Sequence, residues 1–205
     1  MYADKMYELI FAWKMPLAFG ICYTSRIKAK GDEILEVELR GWTLEDKKQL
    51  MNICNTVDRS YLSDRLPDPY TEESAKWWLH MVLEHDGKDG VFRAITVDGR
   101  IVGNISVEQK EDVYRQDAEI GYMLITKEWS RGIMTKAVEA ICREAFEKLG
   151  IIRITGLVYE PNTASRKVLE KNGFELEGLM KHAVVKNGNV YNLCVYGKQR
   201  EAVEE

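Results

Sequence analysis

The sequence predicts an α/β protein of the α+β type: a mixed sheet of six or seven strands with helices packed on both faces. Three observations carry this reading. Between Val91 and Ile125 the apolar residues recur at every second position, and beyond Gly132 they recur with a period of 3.6. The next segment, Ile151 to Val158, alternates again, and the resulting strand-helix-strand order permits a parallel pairing through a right-handed crossover.

The first strand is expected over Asp32 to Leu39, where polar and apolar residues alternate up to Gly41. Thr43 stands three residues before Asp46 in a variant of the capping box, and Leu44, Leu50 and Ile53 give a short helix its apolar stripe. Pro67, Asp68 and Pro69 then break the chain, and Thr71 caps a second helix from Glu72 to about Leu83. Two rings on that helix, Trp77 and Trp78, read either as one core residue and one edge cover or as a lip over an acceptor site. Val91 to Val97, an Asp98-Gly99 turn and Ile101 to Val107 form a hairpin, and Ala118 to Ile125 adds a third antiparallel strand.

The clearest helix follows, with Ile133, Ala137, Ile141, Ala145 and Leu149 on one face; Gly150 stops it. After the Ile151 to Val158 strand, Pro161 and Asn162 start a short helix that turns Ala164, Val168 and Leu169 inward and closes at Asn172-Gly173. A hairpin of Phe174 to Val185 and Val190 to Gly197, turned at Asn187-Gly188, ends the fold.

A chain of 205 residues fits one domain, expected over residues 32–198, with an N-terminal arm over 1–31 and a polar tail over 199–205. The apolar stretch Leu9 to Cys22 is interrupted by Lys14 and Pro16 and lacks a basic flank, so neither a membrane span nor a signal peptide is expected. It reads as an arm docked on the domain or on a second subunit, compatible with a homodimer. The four cysteines are scattered, with no C-x-x-C pair, which suits a reducing cytoplasm and argues against a zinc knuckle. Against 29 Lys plus Arg stand 33 Asp plus Glu, for a net charge of -4. That balance offers no footprint for nucleic acid and tolerates a cationic acceptor.

Chemistry concentrates where strand, turn and helix meet, from Glu128 to Thr135. The first turn of a helix carries N–H groups without intrahelical partners, so an anion fits there, and Gly132 leaves its approach open. Arg131 and Lys136 are candidates to add positive charge at the mouth. A P-loop would need a glycine-rich run ending in Gly-Lys-Ser/Thr, and a dinucleotide fold would need Gly-x-Gly-x-x-Gly; neither occurs.

The segment Trp129, Ser130, Arg131, Gly132, Ile133 and Met134 resembles the Gln/Arg-x-x-Gly-x-Gly/Ala cofactor motif of the GNAT acetyltransferases. It departs from the strict pattern at Trp129 and at Met134, which would narrow the approach. The likeness continues in order through Ala118-Glu119-Ile120-Gly121-Tyr122 and the Asn162 to Phe174 segment, as in the RimJ/RimL branch, and covers about Glu33 to Gly197.

This resemblance implies a GNAT fold with splayed central strands, ending here near Ile125 and Val158, and acetyl-CoA in the wedge between them. It implies cofactor contacts from Leu124, Ile125, Trp129, Ser130, Arg131, Gly132, Ile133, Met134, Thr135, Asn162 and Ser165. A free main-chain N–H near Leu124 or Ile125 would polarise the thioester carbonyl. The implied reaction is acetyl transfer to a primary amine, on a protein N-terminus or a small molecule.

Glu119 is the first candidate for the base, and Ser165 is the expected group near the departing thiolate. Tyr159 is an alternative proton donor. The glutamate that RimL-type enzymes are thought to use falls at Val184, and the usual aspartate of the last strand falls at Asn192, which weakens a ribosomal-protein acceptor. A CoA-binding sensor without transferase activity is the rival reading. His182 reads as a neighbour of the acceptor channel, whereas His80 and His85 lack metal-site spacing and no metal is expected.

Overall fold

The computed structural model describes residues 23–28 and 34–200. Met1 to Cys22, most of the expected arm, and residues 201–205 of the tail lie outside the described residues. Eight strands form a single sheet in the order β1-β2-β3-β4-β5-β6-β8-β7. They are β1 (Tyr23–Lys28), β2 (Ile34–Arg40), β3 (Gly90–Val97), β4 (Arg100–Gln109), β5 (Asp117–Leu124), β6 (Arg153–Tyr159), β7 (Glu175–Lys186) and β8 (Asn189–Gln199). Among the described residues four α-helices accompany them: α1 (Lys47–Thr56), α2 (Glu72–His85), α3 (Ile133–Lys148) and α4 (Thr163–Lys171).

The count exceeds the expected six or seven because β1, in the stretch read as an arm, pairs antiparallel with β2. In β1 only Ile27 is buried among residues 23–27, so its sequence carries little alternation of apolar side chains. All neighbouring strands pair antiparallel except β5 and β6, which are parallel and are joined through α3. Both capping expectations are met. The Thr43 N–H and hydroxyl both donate to Asp46 Oδ2, at 2.9 and 3.0 Å, and Thr71 Oγ1 accepts from the Ser74 N–H at 3.2 Å.

Alternation along β3 fixes which helix covers which face. Arg93 reaches Glu144 of α3, whereas its neighbour Phe92 meets Trp78 of α2 edge-on with ring centroids 6.4 Å apart. Successive strand residues point to opposite faces, so α2 and α3 sandwich the sheet. Trp78 also stacks edge-on with Trp42, while Trp77 is 70% exposed, and neither borders the cavity described below. The two rings are thus a core residue and a surface residue, not a lip.

Most buried side chains are apolar; Arg93 is the large exception, fully buried. Its Nε donates to Glu144 Oε2 at 3.0 Å, its Nη1 donates to both Asp86 oxygens at 2.8 and 2.9 Å, and its Nη2 bonds Glu144 Oε1. Lys148 donates to the same glutamate at 2.6 Å. The network ties the end of α2 to α3 through the sheet. Among the described residues every buried side-chain nitrogen and oxygen has a partner, so removing one member strands the rest.

Replacing Arg93 with Met is expected to lower unfolding free energy by about 3 kcal/mol, because it leaves Glu144 with Lys148 alone and removes the partner of Asp86 at the end of α2. Denaturant unfolding measures it. Burial acts to raise the Glu144 pKa, but Arg93 and Lys148 outweigh it and hold the group below its ordinary 4.5. A depressed carboxylate contributes stability that is complete above the unfolded pKa and is lost as pH falls through the folded one. The wild type should therefore lose stability with acidification below 4.5, and the variant should lose less over that range.

Candidate active site

Parallel pairing between β5 and β6 runs from Asp117↔Arg153 only to Ile120↔Gly156. Beyond that point each strand continues on its outer neighbour: β5 stays on β4 through Gly103↔Leu124, and β6 stays on β8 through Tyr159↔Leu193. The sheet opens between them into a cavity of about 1120 Å³. Pairing residues share a face, so Ile120, Tyr122 and Leu124 look toward α4 and α3, while Glu119, Gly121 and Met123 look toward α1 and its following loop. The opening connects the two faces. Gly156 lies at the fork because a Cβ there would come within 2.7 Å of Leu169 on α4.

On the α3 face the cavity ends at the turn Trp129 to Thr135. Gly132 caps α3 in the left-handed region with φ of 83°, and Ser130 also has a positive φ of 60°. The first helical bond is Lys136 N–H to Gly132 O, at 3.2 Å. The N–H groups of Ile133, Met134 and Thr135 therefore have no helical partner, and no side chain caps them. Ile133 and Met134 are buried, which anchors the turn in the core. Met134 is 9% exposed, packs in the core cluster and also lines the cavity beside the turn. The Trp129 indole donates to the Leu124 carbonyl at 2.8 Å and ties the turn to the open end of β5.

Two expectations about this end need correction. Arg131 pairs with the buried Glu128, and Lys136 lies 2.8 Å from Glu139, so both cations are engaged on the protein and neither borders the cavity. Lys167 and Lys171 of α4 border it instead. They stand four apart in the sequence and so on one helix face, a signal the reading of α4 as an apolar stripe passed over. The Ile125 N–H donates to Val102 O at 3.0 Å and is not free. Because bonding direction alternates along a strand, the Leu124 N–H points away from β4, into the opening.

Ser165 sits on the first turn of α4, where Asn162 Oδ1 accepts its N–H at 3.1 Å, as a helix cap does. Its hydroxyl lies 2.7 Å from the Tyr122 hydroxyl across the opening. In the sequence Tyr122 enters only as the last residue of the Ala118 to Tyr122 likeness, and its partner is 43 positions distant. Glu119 borders the cavity from the opposite face. The side chain stays exposed to the cavity, and the surrounding protein mass, by thinning its hydration, is the largest influence raising the pKa above 4.5; Lys110 and Arg65 act against it, and Glu108 and Asp117 add to it.

The far wall was not foreseen. The loop after α1 contributes Asp58, Tyr61, Leu62 and Asp64 to the cavity. Arg59 holds that loop by bonds to the carbonyls of Cys54, Leu66 and Pro67, at 2.8, 3.1 and 2.9 Å, and Lys186 of β7 clasps Asp64 at 2.5 Å. Tyr61 meets Tyr159 and Tyr191 edge-on, at 5.8 and 6.5 Å between centroids. Tyr159 is thereby built into an aromatic wall. Val184 lines the same side, so the position expected to carry a glutamate is apolar wall. Asn192 accepts the His182 N–H at 2.9 Å and donates to Glu160 at 2.8 Å, bracing the bulge of β7. His182 borders a smaller neighbouring hollow with Glu160 and Pro161.

Burial pushes the Cys54 and Cys142 thiols up to about 12, so neither offers a thiolate at neutral pH. Among the described residues no group of three or more His, Cys, Asp or Glu could hold a metal ion, and no helix is long and apolar enough to cross a membrane.

Residues 36–175 match the acetyltransferase (GNAT) domain family. The chain belongs to that family. A probable N-acetyltransferase of Bacillus subtilis, YjcK, is 36% identical over 129 residues, covering 60% of this chain and 70% of that protein. YoaA of the same organism, an uncharacterized N-acetyltransferase, is 33% identical over 103 residues, 49% of this chain and 58% of its own length. A solved RimL, a ribosomal L7/L12 α-N-protein acetyltransferase in complex with coenzyme A, superposes with a TM-score of 0.71 at 23% identity over 80% of this chain and 93% of that one. The chain is thus an acetyl-CoA-dependent N-acetyltransferase, and its likeness to RimL is one of fold. The splayed pair β5 and β6 is the fold feature that the sequence resemblance implied.

Gly132→Val would place a branched side chain at a φ it tolerates poorly, a strain of about 1–3 kcal/mol. If the turn carries the pyrophosphate, KM for acetyl-CoA should rise by about tenfold or more, since tenfold corresponds to about 1.4 kcal/mol. Steady-state kinetics with acetyl-CoA as the varied substrate checks this against a melting curve.

Proposed function

We propose that this chain transfers the acetyl group to a primary amine that arrives as a cation on the α1 side of the sheet. The observation that carries the reading is the charge division of one cavity. Unpaired helical N–H groups, Lys167 and Lys171 lie at the α3–α4 end, and Asp58 and Glu119 lie at the other, beside the Asp64–Lys186 pair. A phosphate fits the first and an ammonium fits the second. The Tyr61 and Tyr159 wall, backed by Tyr191, would hold the body of the acceptor by its apolar and π surfaces.

Acetyl-CoA supplies an acetyl thioester. The backbone of residues 130–135 and the two α4 lysines would hold its pyrophosphate, and the Leu124 N–H would face the carbonyl oxygen as negative charge develops there. Glu119 takes a proton from the ammonium, directly or through water, because only the free amine has a lone pair to donate. The amine nitrogen bonds to the carbonyl carbon, and the carbon–sulfur bond breaks with its electron pair on sulfur. Ser165 donates a hydrogen bond to that sulfur. Overall the ammonium nitrogen gives up two protons, one passing through Glu119 to solvent and one ending on sulfur, so the products are an amide, a thiol and a released proton. Tyr159, packed among aromatic rings, serves as wall in this reading, not as a proton donor.

Release of free thiol from acetyl-CoA across a panel of peptide N-termini, diamines and amino acids tests the proposal. Tight acetyl-CoA binding with no acceptor-dependent thiol release from any of them would favour the sensor reading. Glu119→Gln should lower kcat/KM for the amine by about a hundredfold. A base works only when ionised, so the wild-type rate climbs as pH rises through the elevated Glu119 pKa. That limb should be missing from the variant's pH profile while the amine's own limb remains.

A further inference from the structure

We propose that Tyr122 is a positioning residue for the transfer, holding the Ser165 hydroxyl so that the serine proton faces the cofactor sulfur. The inference rests on the reading above that Ser165 serves the departing sulfur. The Tyr122 hydroxyl lies 2.7 Å from Ser165 Oγ and 3.3 Å from the Ser165 carbonyl oxygen. A carbonyl oxygen can only accept, and a serine hydroxyl has lone pairs to accept with as well as one proton to give. A phenol has one proton; directed along the shorter contact to Ser165 Oγ, it leaves the serine proton free to point in another direction. Its remaining side is the cavity, which both residues border.

The arrangement is built from both ends. The Asn162 cap fixes the Ser165 backbone at 3.1 Å, and Gly156 lets α4 settle close enough to β6 for the serine to meet β5. Burial pushes the Tyr122 phenol up to about 12, with the Ser165 contact pulling the other way, so the phenol keeps its proton throughout the neutral range. A free hydroxyl divides itself among three staggered orientations; holding one of them is worth about threefold. When the carbon–sulfur bond breaks, the electron pair goes to sulfur, and the preset O–H receives it without first having to rotate.

The test uses the full chain complexed with coenzyme A. The bound thiol is titrated by its thiolate absorbance, with the desulfo-coenzyme A complex as the blank that removes protein thiols and phenols. In Tyr122→Phe the apparent thiol pKa should rise by roughly half a unit, the threefold effect on a logarithmic scale. Ser165→Ala should raise it at least as far, and the double variant no further than Ser165→Ala alone. With an acceptor that turns over, Tyr122→Phe should lower kcat about threefold and leave KM for acetyl-CoA unchanged. Melting temperatures taken alongside establish that each variant is folded.

A thiol pKa unmoved in Tyr122→Phe overturns the inference. So does the same shift recurring in the Ser165→Ala background, because Tyr122 would then not act through the serine. If Ser165→Ala alone changes neither the thiol pKa nor kcat, the role given to Ser165 fails and this inference fails with it. If the thiol titrations behave as described but no amine is acetylated, the proposed transfer to a cationic amine fails while the inference stands.

Discussion

Each of the two central strands is held by its outer neighbour for longer than by the other. β5 remains bonded to β4 as far as Leu124, with the Ile125 N–H on Val102 beyond it, and β6 remains bonded to β8 as far as Tyr159. Their own parallel pairing covers four residue pairs and stops at Ile120 and Gly156. Backbone polar groups left at such an end must find partners or face a solvated space. The opening supplies that space and leaves the Leu124 N–H directed into it. The turn, Trp129, α4 and the Tyr122–Ser165 contact are all arranged around that one interruption.

Because the interruption passes through the sheet, the two faces can do different work. The α3–α4 face presents main-chain donors and lysines, which suit a polyanionic carrier. The α1 face presents carboxylates and tyrosines from a loop. The Arg93, Asp86 and Glu144 network fixes α2 and α3 on opposite sides, at the far end of the same helix whose first turn presents its unpaired N–H groups to the cavity. Rigidity there matters to the site, since α3 must present its N-terminus at a constant position.

Much of this was legible in the sequence where the determinant is local. The period of 3.6 beyond Gly132, the alternation from Val91 to Ile125 and the Asn162 cap each depend on residues a few positions apart, and each element appears where its pattern stands. The long-range features were not legible. Tyr122 meets Ser165, Lys186 clasps Asp64 and Tyr61 packs on Tyr159 only once the sheet has formed. The loop from Val57 to Leu66 has no hydrophobic period at all, so its place on the acceptor side is invisible until the chain is folded. Charge was misjudged for a related reason. Arg131 and Lys136 are near the turn in sequence, but closer carboxylates, Glu128 and Glu139, hold them, leaving Lys167 and Lys171 from another helix beside the cavity.

The carboxylates on the loop side have a consequence for turnover. In the proposed reaction an ammonium becomes a neutral amide, so the attraction that would draw the acceptor toward Asp58 and Glu119 vanishes in the act of reaction. The product then competes poorly against a fresh cation for the same surface. At that end the cavity empties itself by chemistry, and the lag between catalytic cycles falls to the other end, where the spent carrier keeps every one of its phosphate charges.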